Sequence, residues 1–214
     1  MAKIKDIKAV FFDFDGVLFD SKEGIVESAK KALIKNGIDP MDEIPIGPPL
    51  HATFENMYGL KGDLLQKVSK DYHDIYSEEG YKKHKPYLGI NSLCFDLWDK
   101  YGLPYIVSFK KPDDMRKILK LAPLAIHKDV IFGKEDGGKT MDKSDVLWGA
   151  IDTLKIKPEE AVMIGDSPLD IMAAKKVGTK SIGVLYGYST EEQIKGANPD
   201  FVAKSVGELK RILT

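Results

Sequence analysis

Five short apolar runs, separated by stretches of helical periodicity, constrain this chain more than any other feature. Strands are expected from about Ile7 to Asp13 and at Tyr105–Ser108, Asp129–Phe132, Ala161–Asp166 and Lys180–Leu185. The runs are continuous rather than alternating, which suits parallel strands covered on both faces. Between them, Val146, Leu147, Ala150, Ile151 and Leu154 recur at helical spacing. Leu169, Met172, Ala173 and Val177 do the same, and Gly178 is placed to stop that helix. Alternating strands and helices predict an α/β fold with a doubly wound, parallel-sheet, Rossmann-like core.

The segment after the first strand breaks the alternation. "EGIVESAKKALIKNG" reads as one helix, with Asp20 and Ser21 as its capping residues, and "GDLLQKVSKDYHDIYSEE" reads as a second. A proline-rich connection, "DPMDEIPIGPPL", lies between them, and "HKPYLG" (His84 to Gly89) is the expected return to the core. The expected organisation is a core of residues 1–18 and 84–214 and a small all-helical cap domain of residues 19–83. With 214 residues, 43% of them hydrophobic, the chain can bury a substantial core. The net charge of −1 gives no general attraction to nucleic acid or to an anionic membrane, and no apolar run is long enough to span a bilayer. The start, "MAKIKDIKAV", carries charges and no signal-peptide apolar block, so a cytoplasmic protein is expected. Cys94 is the only cysteine, so no intrachain disulfide forms, and its setting in "NSLCFDLW" reads as a buried structural thiol. The sequence carries no cue to oligomeric state.

Against this apolar background, "VFFDFD" places Asp13 and Asp15 directly after a buried strand. A carboxylate beside a core is costly unless it is paired, hydrogen-bonded or metal-bound. In a doubly wound sheet, ligands bind beyond the carboxyl ends of the strands. Asp13, Asp15, Ser108, Asp166 and Asp170 stand at or after such ends, and Lys143 stands near a helix start, so all six can converge on one crevice. Clustered carboxylates favour a hard divalent cation such as Mg²⁺, while a hydroxyl and an ammonium suit phosphate oxygens. An aspartate can also attack phosphorus. A lysine at a helix N-terminus opposes the helix dipole, and a bound anion would justify it. Lys139 is a less well spaced rival.

"FFDFDGVLFD" resembles the first motif of the haloacid dehalogenase superfamily in its phosphatase branch. "YIVS" is similar to the second motif, and "KSDVLWGAIDTLKIKPEEAVMIGDSPLD" to the third and fourth together. "IGPPLHATF" and "IGVLYGYSTEEQIKGANPDFV" resemble phosphoglycolate phosphatase-like members with a helical cap. The resemblance implies a Mg²⁺-dependent phosphatase acting on a small phosphorylated metabolite, with a cap that closes over the reaction. It implies Asp13 as nucleophile, Asp15 as acid and base, and Ser108 and Lys143 as phosphate holders. The implied metal set is Asp13, the backbone carbonyl of Asp15, Asp166 and Asp170, the last as ligand or support. Phosphoglycolate, nucleoside monophosphates and pyrophosphate are the implied substrates. A phosphomutase, and a phosphate-binding or signalling module, are the alternatives.

One departure stands out. After the second motif relatives often carry a small polar residue or read "TSKP", whereas this chain reads "SFKKP", with Phe109 and one extra residue before Pro112. Lys110 and Lys111 are expected as solvated surface lysines, with one of them reaching the substrate as the alternative. His51 is expected either facing the substrate or at the surface, and His73, His84 and His127 show no metal-ligand pairing. The aromatics of "VFFDF" and "DYHDIY" read as core and helix-face residues, not as a nucleic-acid module.

Overall fold

The computed structural model describes residues 3–46, 49–133 and 142–214. It comprises two compact units, Met1–Asp20 with Pro86–Thr214, and Ser21–Lys85.

The first unit opens with β1 (Ala9–Phe12), followed by the two-residue β2 (Phe19–Asp20). The second unit carries α1 (Lys22–Lys35), α2 (Leu50–Tyr58), α3 (Gly62–Glu78) and a 3₁₀ turn, Gly80–Lys83. Beyond the short β3 (Lys85–Pro86), the chain forms α4 (Ile90–Tyr101), β4 (Tyr105–Val107), α5 (Pro112–Leu121) and β5 (Ile131–Phe132). Then come α6 (Lys143–Leu154), β6 (Ala161–Gly165), α7 (Pro168–Val177), β7 (Lys180–Val184), α8 (Glu191–Gly196), β8 (Phe201–Ala203) and α9 (Val206–Leu213).

Six of these strands form one sheet in the order β5-β4-β1-β6-β7-β8. Every pairing is parallel, with Phe11 opposite Met163 and Phe12 opposite Ile164 between β1 and β6. All residues of β1 and β6 are buried, as their unbroken apolar runs require. On one face Ala9, Phe11 and Met163 pack against Val146, Leu147, Ala150 and Ile151 of α6 and Ala174 of α7. The expected parallel α/β architecture is thus present, with β1 and β6 at its centre. This order puts the reversal of winding at β1, so a ligand crevice belongs at its carboxyl end.

The strands are shorter than the apolar runs suggest. Asp6 adopts a left-handed φ of 59°, so the chain turns before it joins the sheet and Ile7 stays outside the ladder. Only Ile131 and Phe132 of the expected Asp129–Phe132 strand are paired. The edge strand β8 pairs with β7 through Ile182 and Phe201 but has too little apolar sequence to be read beforehand. Cys94 lies fully buried on α4, and that burial pushes its thiol up to about 12, the behaviour of an inert structural cysteine.

The second unit has its own core. Ile25, Ala29, Ala32 and Leu33 of α1, Phe54 of α2, and Leu65, Val68, Tyr72 and Tyr76 of α3 form one buried cluster. Phe54 meets Tyr72 edge-to-face, with ring centroids 6.2 Å apart. The expected proline-rich connection ends earlier than its composition suggests, because α2 starts at Leu50. Ser21 does occupy the N-cap of α1 but makes no side-chain capping hydrogen bond, and the Asp20 carboxylate accepts a hydrogen bond from the Tyr188 hydroxyl at 3.2 Å.

Candidate active site

Asp13 follows the last residue of β1. Its N–H donates to the Ile164 carbonyl at 2.9 Å, so its backbone is still held by β6. Its Oδ1 accepts the Phe14 N–H at 2.7 Å and lies 3.0 Å from Lys143 Nζ. The Ser108 hydroxyl also hydrogen-bonds this carboxylate. Burial is the main influence on the group and pushes its pKa up to about 6; Lys143 pulls against that, and the Asp170 charge adds to it.

Ser108 follows β4, is buried, and donates its N–H to the Phe132 carbonyl at 2.9 Å. Lys143 is the first residue of α6, which starts in a capping box formed by Asp142 and Asp145. Its side chain is buried, with Nζ 3.0 Å from Asp13 Oδ1, 2.9 Å from Asp170 Oδ1 and 5.3 Å from the Phe109 ring centroid. At this helix start two carboxylates of the protein meet the lysine and offset its conflict with the helix dipole. Burial would lower its pKa, but those carboxylates outweigh the effect and keep it above the ordinary lysine value. Phe109, out of pattern in the sequence, is the ring that flanks this ammonium.

Asp170 sits in the first turn of α7 and is completely buried. Its Oδ2 accepts the Ser167 N–H at 3.2 Å and the Ser167 hydroxyl at 2.6 Å, closing a capping box, while Oδ1 faces Lys143. Asp166 follows β6 and accepts the Tyr188 N–H at 2.7 Å through Oδ2. Two glycines make room for it. A Cβ at Gly16, whose φ is +79°, would lie 2.1 Å from Asp166 Oδ2, and one at Gly187 would lie 2.2 Å from Asp166 Cβ. Burial, then the charges of Asp13 and Asp170, raise the Asp166 carboxyl well above the ordinary range. Gly187 and Tyr188 were not singled out from the sequence; the "YGY" turn beyond β7 was the available signal.

Oxygens of Asp13, Asp166 and Asp170 lie within 4.8 Å of one another, the group of metal-capable side chains found among the described residues. The Asp15 carboxylate is not part of it. Lys110 Nζ lies 3.0 Å from Asp15 Oδ1 and 2.9 Å from Oδ2, so the Asp15 carboxylate is engaged by this ammonium. This corrects the reading of Lys110 as a solvated surface lysine. Its side chain is 7% exposed and ion-paired, because the Ser108–Pro112 loop turns it inward. Lys111 is partly buried, immediately before α5. Lys139 lies outside the described residues.

The histidines play no part in this group. His51, in the second unit, is exposed with Nδ1 3.3 Å from the Ser69 hydroxyl; His84 Nε2 is 2.7 Å from the Tyr76 hydroxyl; His127 stacks on Tyr105 at 4.4 Å. The site is thus a buried carboxylate beside an ammonium and a hydroxyl, with a second carboxylate two residues on and three acidic oxygens close together. Such a set can hold a hard cation and a tetrahedral anion, and it offers an oxygen nucleophile.

The family model of the haloacid dehalogenase-like hydrolases matches residues 10–184. The chain is 28% identical over 208 residues to a 5'-nucleotidase of Pseudomonas aeruginosa, covering 95% of this chain and 94% of that protein. It is 29% identical over 222 residues to a phosphoglycolate phosphatase of Vibrio parahaemolyticus, covering 98% and 97%. The solved structure of a haloacid dehalogenase-like family hydrolase from Streptococcus pneumoniae superposes with a TM-score of 0.88 at 26% identity, over 96% of this chain and 98% of that one. The chain belongs to the haloacid dehalogenase-like hydrolases.

Proposed function

We propose that this protein is a phosphatase that cleaves a small phosphomonoester through a phosphorylated Asp13. The observation that carries the reading is the Asp13 carboxylate itself. It is held at the carboxyl end of the central strand between Lys143 and the Ser108 hydroxyl, with Asp15 two residues away. An Asp13 oxygen attacks phosphorus as the bond to the leaving oxygen breaks, and Asp15 gives that oxygen its proton. Asp15 then takes a proton from the water that attacks the aspartyl-phosphate, which releases inorganic phosphate and restores Asp13. Ser108 and Lys143 hold the phosphoryl oxygens as charge builds on them. Asp170 keeps Lys143 in place from behind.

The donor set also fits Mg²⁺. Three carboxylates lie close together, and burial, with the charge of neighbouring carboxylates adding to it, raises the pKa of Asp13 and Asp166; a cation would offset both effects. Asp13, Asp166 and the Asp15 carbonyl would hold the ion, with Asp170 adjoining. Bound there, it supplies charge neutralisation to the transferring phosphoryl group. The second unit, Ser21–Lys85, is read as a cap that selects the leaving group. The relatives named as a 5'-nucleotidase and a phosphoglycolate phosphatase support small phosphorylated metabolites as the substrate class. A cytoplasmic setting belongs to the same reading, which the single buried Cys94 supports.

The test is phosphate release from phosphoglycolate, nucleoside monophosphates and pyrophosphate, with and without Mg²⁺. Release from at least one is expected to depend on Mg²⁺ and to fall on the order of 10³-fold or more in Asp13→Asn. Near wild-type rates in that variant would remove Asp13 from the nucleophile role. A folded, Mg²⁺-binding protein that releases no phosphate from any of them would contradict the hydrolase reading.

A further inference from the structure

We infer that Lys110 is a positioning residue that aims the Asp15 carboxylate, and with it the proton delivered to the leaving group. The inference rests on Asp15 being the acid and base of the reaction proposed above. Lys110 Nζ reaches both Asp15 oxygens, at 3.0 and 2.9 Å, from a side chain that is only 7% exposed. Burying an ammonium is costly unless a counter-charge with good geometry meets it, and Asp15 provides that counter-charge. The lysine is therefore built into the site and does not arrive there as a wandering surface side chain.

Its backbone is fixed as well. The Lys110 N–H donates to Ser108 Oγ at 3.3 Å. A Cβ at Gly133 would lie 2.6 Å from the Lys110 carbonyl oxygen, so the chain beyond β5 closes directly on this loop. Nζ lies 5.8 Å from the ring centroid of Phe14, the residue between the two aspartates. Of the two lysines between Ser108 and Pro112, the loop sends Lys110 to Asp15. The two ammonium groups thus divide the carboxylates: Lys143 holds Asp13 and Asp170, and Lys110 holds Asp15.

This arrangement has a chemical consequence. When one Asp15 oxygen carries the proton, the Lys110 hydrogen bond is stronger to the other, the better acceptor. The O–H then points away from the lysine and is free to meet the leaving oxygen. As the phosphorus–oxygen bond breaks, that proton moves to the leaving group and Asp15 becomes a carboxylate. In the second half the same oxygen accepts a proton from the attacking water. Lys110 gains and loses no proton in either half.

The test compares two substrates: an alkyl phosphate that the wild type turns over, and p-nitrophenyl phosphate, whose leaving group departs without needing a proton. Lys110→Met should lower kcat for the alkyl ester roughly 10²-fold, the low end of what positioned acid catalysis supplies. The loss on the aryl ester should be much smaller, KM should change little for either, and Lys110→Arg should recover part of the lost rate. Lys110→Gln, which keeps a donor but no charge, serves if the Met variant does not fold. Equal losses on both substrates, a change in KM alone, or wild-type rates would overturn the inference. Asp15→Asn is run beside them. If it shows the leaving-group-selective loss and the Lys110 variants do not, the positioning role alone fails. If Asp15→Asn shows no such selectivity, Asp15 is not the acid and both readings fall.

Discussion

Asp13 is a carboxylic acid whose surroundings resist its charge. Burial lifts its pKa from 3.8 to about 6, even with Lys143 at 3.0 Å. The sign of the consequence is fixed: below about pH 6 the free protein holds a proton there, and a cation needs the ionised form. Mg²⁺ affinity should therefore fall as pH drops through about 6, and binding near that pH should release protons. Titration calorimetry in buffers of differing ionisation enthalpy measures this. Proton release is expected near pH 6; proton-neutral binding there would contradict the assignment. At this scale the sequence was informative about identities. Asp13, Asp15, Ser108, Lys143, Asp166 and Asp170 could be picked because each follows an apolar run or opens a helix. Lys110 could be raised only as one of two candidates beside Lys111, because its destination depends on how a four-residue loop turns, and periodicity says nothing of that. Gly187 was missed for a similar reason, since its role is to leave space for a residue far away in the chain.

Helices and strands differed in how plainly they could be read. The long helices α1 and α3 carry many turns of apolar spacing, so their existence was legible. α2 was hidden because a pair of prolines dominates the sequence before it, and β5 and β8 are too short to show a pattern. Within the second unit, α1 and α3 are tied by more than apolar contact. Asp71 of α3 meets Lys35 Nζ at 2.6 Å and Asn36 Nδ2 at 2.8 Å, at the carboxyl end of α1. The Lys35 hydrogen bond, then that of Asn36, holds the Asp71 carboxyl below its ordinary 3.8. A depressed carboxyl contributes stability above its unfolded value and loses it as pH falls through the folded one. Asp71→Ala should cost about 1–3 kcal/mol at neutral pH, because hydrogen bonds to a charged group are lost. Urea unfolding measures this, and the gap from wild type should shrink as pH falls below the ordinary carboxylate value of 3.8. A pH-independent gap would show that the contact acts through packing rather than charge.

For the molecule as a whole, alternation of apolar runs with helical periods was enough to read a parallel α/β sheet. Strand order was not legible, because the sequence does not say on which side of β1 each later strand lies. The order β5-β4-β1-β6-β7-β8 makes β1 and β6 the centre, covered by neighbours and helices on every side. Their amides should exchange with solvent only on global opening, while those of the partly buried edge strand β5 exchange through local fraying. Hydrogen exchange followed by mass spectrometry would rank them. Faster exchange in β1 than in β5 would contradict the strand order. That centre also explains why the Asp13 carboxylate can be rigid: Asp13 extends a strand held on both sides, and its own N–H is still bonded to β6.

The most direct measurement captures the phosphoryl group on that carboxylate. Turnover in the presence of Mg²⁺ is quenched with borohydride, which reduces an acyl phosphate to an alcohol, and the peptide spanning β1 is analysed by mass spectrometry. Homoserine at position 13, dependent on substrate and absent from Asp13→Asn, is the predicted result. Steady phosphate release with Asp13 never converted, or with another residue converted in its place, would contradict covalent catalysis by Asp13.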